Sequence, residues 1–326
     1  MVSNLKRSKL LDGIYGYRWF DGSLEVKLLI ESKAKIACLY AGAVWGLFWI
    51  PLRALEDAGL HSLWVMVVYF LIPAAFLFPI GIWRWKHLVA GGFQLQITAI
   101  LSGLALLLYT MSIVYTDVVR AILLFYLTPI WGTILARVFL GDAITPKRIF
   151  AMSVAFIGAL TIFGLGAQFP VPQNVGDWMG VAAGIFWAIA SLRINIYKDF
   201  SAIEMTLGFF FWSLVFSLMV ALIFAPSHIP SMSQTLPIMP FLLIFMIILI
   251  LPGTYASLWG PKFLSPGVVG LLFMTEIVVG SISVALLAGE PFGARELMGV
   301  ILITSASLLE PLTRLFYVRK RSAAVR

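Results

Sequence analysis

An all-α integral membrane protein with ten transmembrane helices in two inverted five-helix repeats is the fold this sequence predicts. Three observations carry that prediction. The chain has 326 residues, of which 61% are hydrophobic and only 12% charged, where a soluble domain carries roughly 25% charged residues. Its apolar residues fall in runs near the roughly 20 that cross a bilayer, without the period-2 alternation of a membrane β-barrel. The chain also repeats itself. Phe139-Leu140-Gly141-Asp142 and Leu287-Ala288-Gly289-Glu290 both end apolar runs, and the same 148-residue offset sets Gly132-Thr133 against Gly280-Ser281 and Lys147 against Arg295.

Residues 1–35 differ from the rest. They hold Lys6, Arg7, Lys9, Arg18, Lys27, Lys33 and Lys35 and lack the apolar stretch of a cleaved signal peptide. They read as a basic cytoplasmic tail, with an interfacial helix around Leu24 to Ile36 as the alternative. The first repeat, 36–165, then supplies spans at about Ile36–Leu55, Ser62–Trp83, Leu95–Tyr115, Val118–Leu140 and Pro146–Leu165. The second, 166–315, supplies Gly176–Tyr197, Glu204–Phe224, Met239–Gly260, Gly267–Ala288 and Leu297–Leu315. Turn residues such as Asp57-Ala58-Gly59 and Ser265-Pro266-Gly267 separate them. Residues 316–326 form a second basic tail.

Charge fixes the expected orientation. With both termini in the cytoplasm, 20 of the 23 Lys and Arg residues lie at the inner face, and only Arg53, Arg120 and Arg295 fall near the outer one. The net charge of +8 is therefore explained by a membrane, not by nucleic acid, because the basic residues sit between apolar runs and at the termini. The expected location is the cytoplasmic (inner) membrane of a bacterium. Five spans per repeat turn the second copy upside down, the design in which two halves exchange conformations around a central site. Gly42-Ala43-Val44-Trp45 in the first span aligns with Gly184-Ile185-Phe186-Trp187 in the sixth.

These features together resemble the drug/metabolite transporter superfamily, EamA type. The carrying residues are Tyr126-Leu127-Thr128-Pro129-Ile130-Trp131, the corners Leu140-Gly141-Asp142 and Gly289-Glu290, and the Gly299-to-Ile303 start of the last span. The resemblance covers residues 36–315. Asp142 stands where the family usually has Glu, and Ala151 where it has Gly. The resemblance implies a metabolite carrier, often an exporter, with a central cavity lined by spans 1, 3, 4, 6, 8 and 9.

Within the spans, Glu276 is the most informative residue. It lies near the midplane of span 9, where a carboxyl group is costly unless paired, protonated or open to a water-filled cavity. It reads as a group that meets a substrate cation or carries a coupled proton, or else as a structural carboxyl. Its repeat counterpart is Thr128, so the charge is one-sided. Trp45, Trp49, Tyr109, Tyr126, Trp187, Tyr255 and Trp259 add rings in spans expected to line the cavity. A ring-lined cavity with one carboxylate suits an organic cation or an amine, although ordinary packing also uses such rings. Arg120, near the outer face, either attracts an anionic group, snorkels to the headgroups or pairs with Asp117. Arg53 reads as surface pairing, and Glu310 as a partner of Arg314 at i,i+4 spacing. Pro73, Pro79, Pro129 and Pro252 interrupt spans and are kink candidates.

Other chemistries lack their residues. No Gly-rich phosphate loop and no nucleophile elbow occurs. The histidines at 61, 87 and 228 fall at loops or span ends, so no metal set forms with Cys38. No cofactor is expected, and no enzyme. The expected partners are a small-molecule substrate and the lipid bilayer, with a monomer sufficient. The sequence thus predicts a secondary transporter of small organic metabolites, exporting amino-acid-like or amine-bearing solutes by alternating access. The alternatives are an exporter of quaternary amines or lipophilic cations and, from another class, an intramembrane enzyme.

Overall fold

In hydrocarbon every backbone N–H and C=O must be satisfied within the protein, and a helix does this along its own length. The computed structural model describes residues 26–163, 171–289 and 292–324, and all regular structure among them is helical. In chain order these are α1 (26–45), α2 (Trp49–Asp57), α3 (Ser62–Trp83), α4 (Trp85–Tyr115), α5 (Val118–Phe125), α6 (Thr128–Phe139) and α7 (Pro146–Phe163). After 163 come α8 (Val175–Ile196), α9 (Ala202–Phe224), the short α10 (Met232–Thr235), α11 (Met239–Phe245), α12 (Leu251–Trp259), α13 (Pro266–Phe273), α14 (Thr275–Ala288) and α15 (Ala294–Ala324).

Eight helical segments among the described residues are long and apolar enough to cross a membrane: Val26–Asp57, Ser62–Trp83, Trp85–Tyr115, Arg120–Phe139, Val175–Ile196, Ala202–Phe224, Met239–Lys262 and Pro266–Ala288. The chain is an all-helical integral membrane protein. The eight stand at the expected spans 1–4 and 6–9. At the fifth and tenth positions stand α7 and α15, which pack on each other where Gly158 meets Gly299 and Ile303. The tail before residue 26, Glu290, and the side chains of Glu310 and Arg314 lie outside the described set.

The first helix is longer than hydropathy alone suggests. It starts at Val26 and carries Lys27, Glu31 and Lys35, one helical turn apart, into the first span. The third is broken where α4 takes φ 53° and ψ −153° at Gly92, a conformation that glycine adopts without a Cβ penalty. The remainder of α4 is the span expected from Leu95 onward.

Three spans are interrupted inside the membrane. Turns at 46–48 separate α1 from α2, Tyr126 and Leu127 separate α5 from α6, and Met274 separates α13 from α14. The last two breaks are repeat counterparts, since Tyr126 plus the 148-residue offset is Met274. Between α11 and α12, Met246–Ile250 form a π-turn just before Pro252. Proline offers no N–H to the preceding turn, and a π-turn accommodates that loss with one extra residue.

Two apolar cores flank these breaks. One joins Phe48, Tyr69, Phe70, Phe209, Phe210 and Met246. The other joins Leu123, Tyr126, Ala155, Leu271, Ile277 and Ile303, and so gathers α5, α7, α13, α14 and α15.

Candidate functional site

Where the interrupted spans meet, a cavity of about 50 Å³ opens inside the bundle, room for a few water molecules at about 10–15 Å³ each. Its walls include Trp45 of α1, Ser102 and Tyr109 of α4, Phe125, Tyr126 and Thr128 at the α5–α6 break, Trp187 of α8, Phe209 of α9, Phe273 of α13 and Glu276 of α14. The rings hold one another. Trp187 stacks on Phe273 at a centroid distance of 5.8 Å, Trp45 meets Phe209 edge-on at 6.2 Å, and Tyr109 lies 4.4 Å from Phe125. Such pairs fix ring orientation beyond what apolar burial alone does. Glu276 opens the first turn of α14 and is the only carboxyl among the lining residues.

Close backbone approach brings these walls together, and the two halves do it alike. A Cβ at Gly42 of α1 would meet the Phe273 carbonyl oxygen at 3.0 Å, and a Cβ at Gly184 of α8 would meet the Phe125 carbonyl oxygen at 2.8 Å. Gly42 and Gly184 are counterparts in the repeat, as are Phe273 and Phe125. The same crossing between the halves is therefore built twice, and each places a tryptophan, Trp45 or Trp187, on the cavity. Small residues at such crossings let helix backbones approach.

Of the residues singled out in the sequence, Trp45, Tyr109, Tyr126, Trp187 and Glu276 lie around this one cavity. Trp49, Tyr255, Trp259 and Arg120 lie elsewhere. The Trp49 indole donates to Ser283 Oγ at 3.0 Å, tying α2 to α14. Tyr255 is 41% exposed on the outer surface of α12. Trp259 packs on Phe263 at 5.1 Å. Span 7, through Phe209, therefore lines the cavity where span 8 was expected. The physical reason is the π-turn: one extra residue before Leu251 rotates the following face of the helix, Tyr255 included.

Arg120 is committed to a partner. It pairs with Asp177 of α8 at 2.5 Å and donates to the Val171 carbonyl at 2.8 Å. Asp177 is fully buried and also accepts from Thr116 Oγ1 at 2.7 Å and from the Gln173 backbone N–H at 2.8 Å. At the opposite ends of the helices, Arg84 pairs with Glu204 at the start of α9. Both ion pairs join the first half of the chain to the second.

Phe125, Thr128, Phe209 and Phe273 were not foreseen as ring or polar walls. Phe125 and Phe273 share the 148-residue offset, so the repeat carried that signal. Phe209 sits in the run Phe209-Phe210-Phe211, where no residue type marks the inward face.

Residues 32–164 match the EamA-like transporter family. The first half of the chain is thus similar to the EamA-like transporters. That similarity points to a membrane transporter of small molecules. A solved crystal structure of a protein aligns with a TM-score of 0.71 at 15% identity, covering 86% of this chain and 97% of that chain. At that identity the likeness speaks for the fold alone, and it covers most of the chain. No curated protein matches the chain.

Proposed function

We propose that this EamA-like protein is a secondary carrier that exports small amine-bearing or amino-acid-like metabolites. Ten spans, in two inverted halves with both termini in the cytoplasm, rock around the ring-lined cavity. The observation that carries the reading is Glu276, one carboxyl set among Trp45, Tyr109, Tyr126 and Trp187. An ionised Glu276 supplies the counter-charge for an ammonium group, and the ring faces add cation–π attraction. The same carboxyl is placed to exchange a proton when the ammonium leaves. Because its counterpart Thr128 is neutral, the cavity is polar on one side, which orients an amphipathic solute.

The ring lining also favours quaternary amines and lipophilic cations as a second substrate class. The cavity as it stands is too small for either, so loading requires the halves to part.

The test is uptake into proteoliposomes. Glu276→Gln should cut amine transport by at least tenfold and flatten its dependence on pH, while the melting temperature of the purified protein stays close to native. Native rate and native pH profile in that variant would overturn the role of Glu276. A thermal-shift screen with amines and amino acids identifies the solute class, since a ligand of the native state raises the melting temperature by mass action.

A further inference from the structure

A second pocket, of about 500 Å³, lies away from the transport cavity. Its walls come from the start of α1, the corner after α6, the loop opening α13 and Leu309 of α15. The charge is uneven: Lys27, Lys35, Lys147 and Arg148 face Glu31 and Asp142. Lys27, Glu31 and Lys35 are spaced at i, i+4 and i+8, so one face of α1 presents a charged stripe to this pocket. Lys35 is held by Glu31 at 3.0 Å. Arg148 is buried, with its backbone N–H capped by Thr145 Oγ1 at 3.2 Å and its guanidinium 3.5 Å from Ser265 Oγ. Among the described residues no ion pair takes up Lys27 or Lys147. Phe263, Leu264, Val268 and Leu309 complete the lining with apolar surface.

Each of these segments belongs to the side of the bundle where the basic residues gather. A pocket whose described lining is net positive and bordered by apolar side chains, at the end of spanning helices, has the chemistry of a phosphate receptor with room for an attached chain. We infer that this pocket binds a phosphate group, presented by an anionic phospholipid headgroup or by a free phosphorylated solute. Lys27 and Lys147 supply the adjustable charges. This inference stands whether or not Glu276 handles a substrate.

Native mass spectrometry of the purified full-length chain tests it, with phosphatidylglycerol, phosphatidylcholine and inorganic phosphate as probes. The native protein should retain phosphatidylglycerol over phosphatidylcholine, and the Lys27→Gln/Lys147→Gln double variant should lose about tenfold or more of that retention. Displacement by inorganic phosphate assigns the site to a free phosphate; retention in its presence assigns it to lipid. Equal retention of the two lipids together with no phosphate binding, or unchanged binding of every probe in the double variant, would sink the proposal. Should the double variant fail to fold, salt decides on the native chain. Raising it from about 0.1 M to about 1 M shortens the screening length from about 10 Å to about 3 Å and should release the anion, while retention that ignores salt would rule the site out.

Discussion

Glu276 and Thr128 occupy the same step of the two repeats but present different chemistry to one cavity. Around them the limiting residues are small. A Cβ at Gly46 would lie 2.7 Å from the Glu276 carbonyl oxygen and 2.8 Å from the Gly280 nitrogen. Both are backbone atoms of α14, so no flexible side chain can give way there. Gly46→Leu should therefore destabilise the protein by at least about 1–3 kcal/mol and displace the helix that carries Glu276. The expected readings are a lower melting temperature in detergent and a loss of transport larger than stability explains. Trp45→Ala and Trp187→Ala should both weaken substrate binding, by similar factors, because each ring closes one of the two crossings. A variant pair differing by more than about tenfold would argue against that equivalence.

At the scale of elements, α8 is the best-anchored helix end. Asn174 Oδ1 accepts from the Asp177 backbone N–H at 2.9 Å, and the Asp177 carboxylate accepts from Arg120, Thr116 and Gln173. Asp177→Ala leaves Arg120 without its buried partner, a loss of about 3–5 kcal/mol, to be read as a large drop in melting temperature. Asp177→Asn should cost less, because its amide keeps part of the network. The eight spans at positions 1–4 and 6–9 were legible because hydropathy and turn residues mark them. So was the gathering of Trp45, Trp187 and Glu276, because the repeat offset and the cost of a mid-membrane carboxyl both leave a trace in residue type. The direction of Tyr255 was not legible. The run from Met239 to Gly260 is apolar on every side, so its pattern does not encode the helix phase, and the π-turn that shifts it arises from local backbone hydrogen bonding at Pro252. Phe209 was hidden for a related reason, lying among identical neighbours.

For the whole molecule, the proposed orientation is open to direct labelling. The single native cysteine, Cys38, is buried, so it should stay silent to a membrane-impermeant maleimide. On intact cells Ser227→Cys should react and Lys198→Cys should not, and lysis should reverse the protection of the second. The opposite pattern would invert the topology. A proposal for the inner and outer faces was readable in charge alone, because Lys and Arg cluster on one side of the expected spans. The pairing of the two halves was not, since Arg84 with Glu204 and Arg120 with Asp177 are too distant in sequence to announce each other.

Those two ion pairs bridge the same seam at its two ends. A rocking motion that parts the halves at one face stretches one pair and leaves the other as a fulcrum. Their relative strength then sets which side the resting carrier faces, as two weights set a balance. Weakening one by Asp177→Asn and the other by Glu204→Gln should tilt the conformational equilibrium in opposite senses, measurable by spin-label distances across each face. The resting bias of such a molecule would be tunable from its rim, without touching the chamber at its centre.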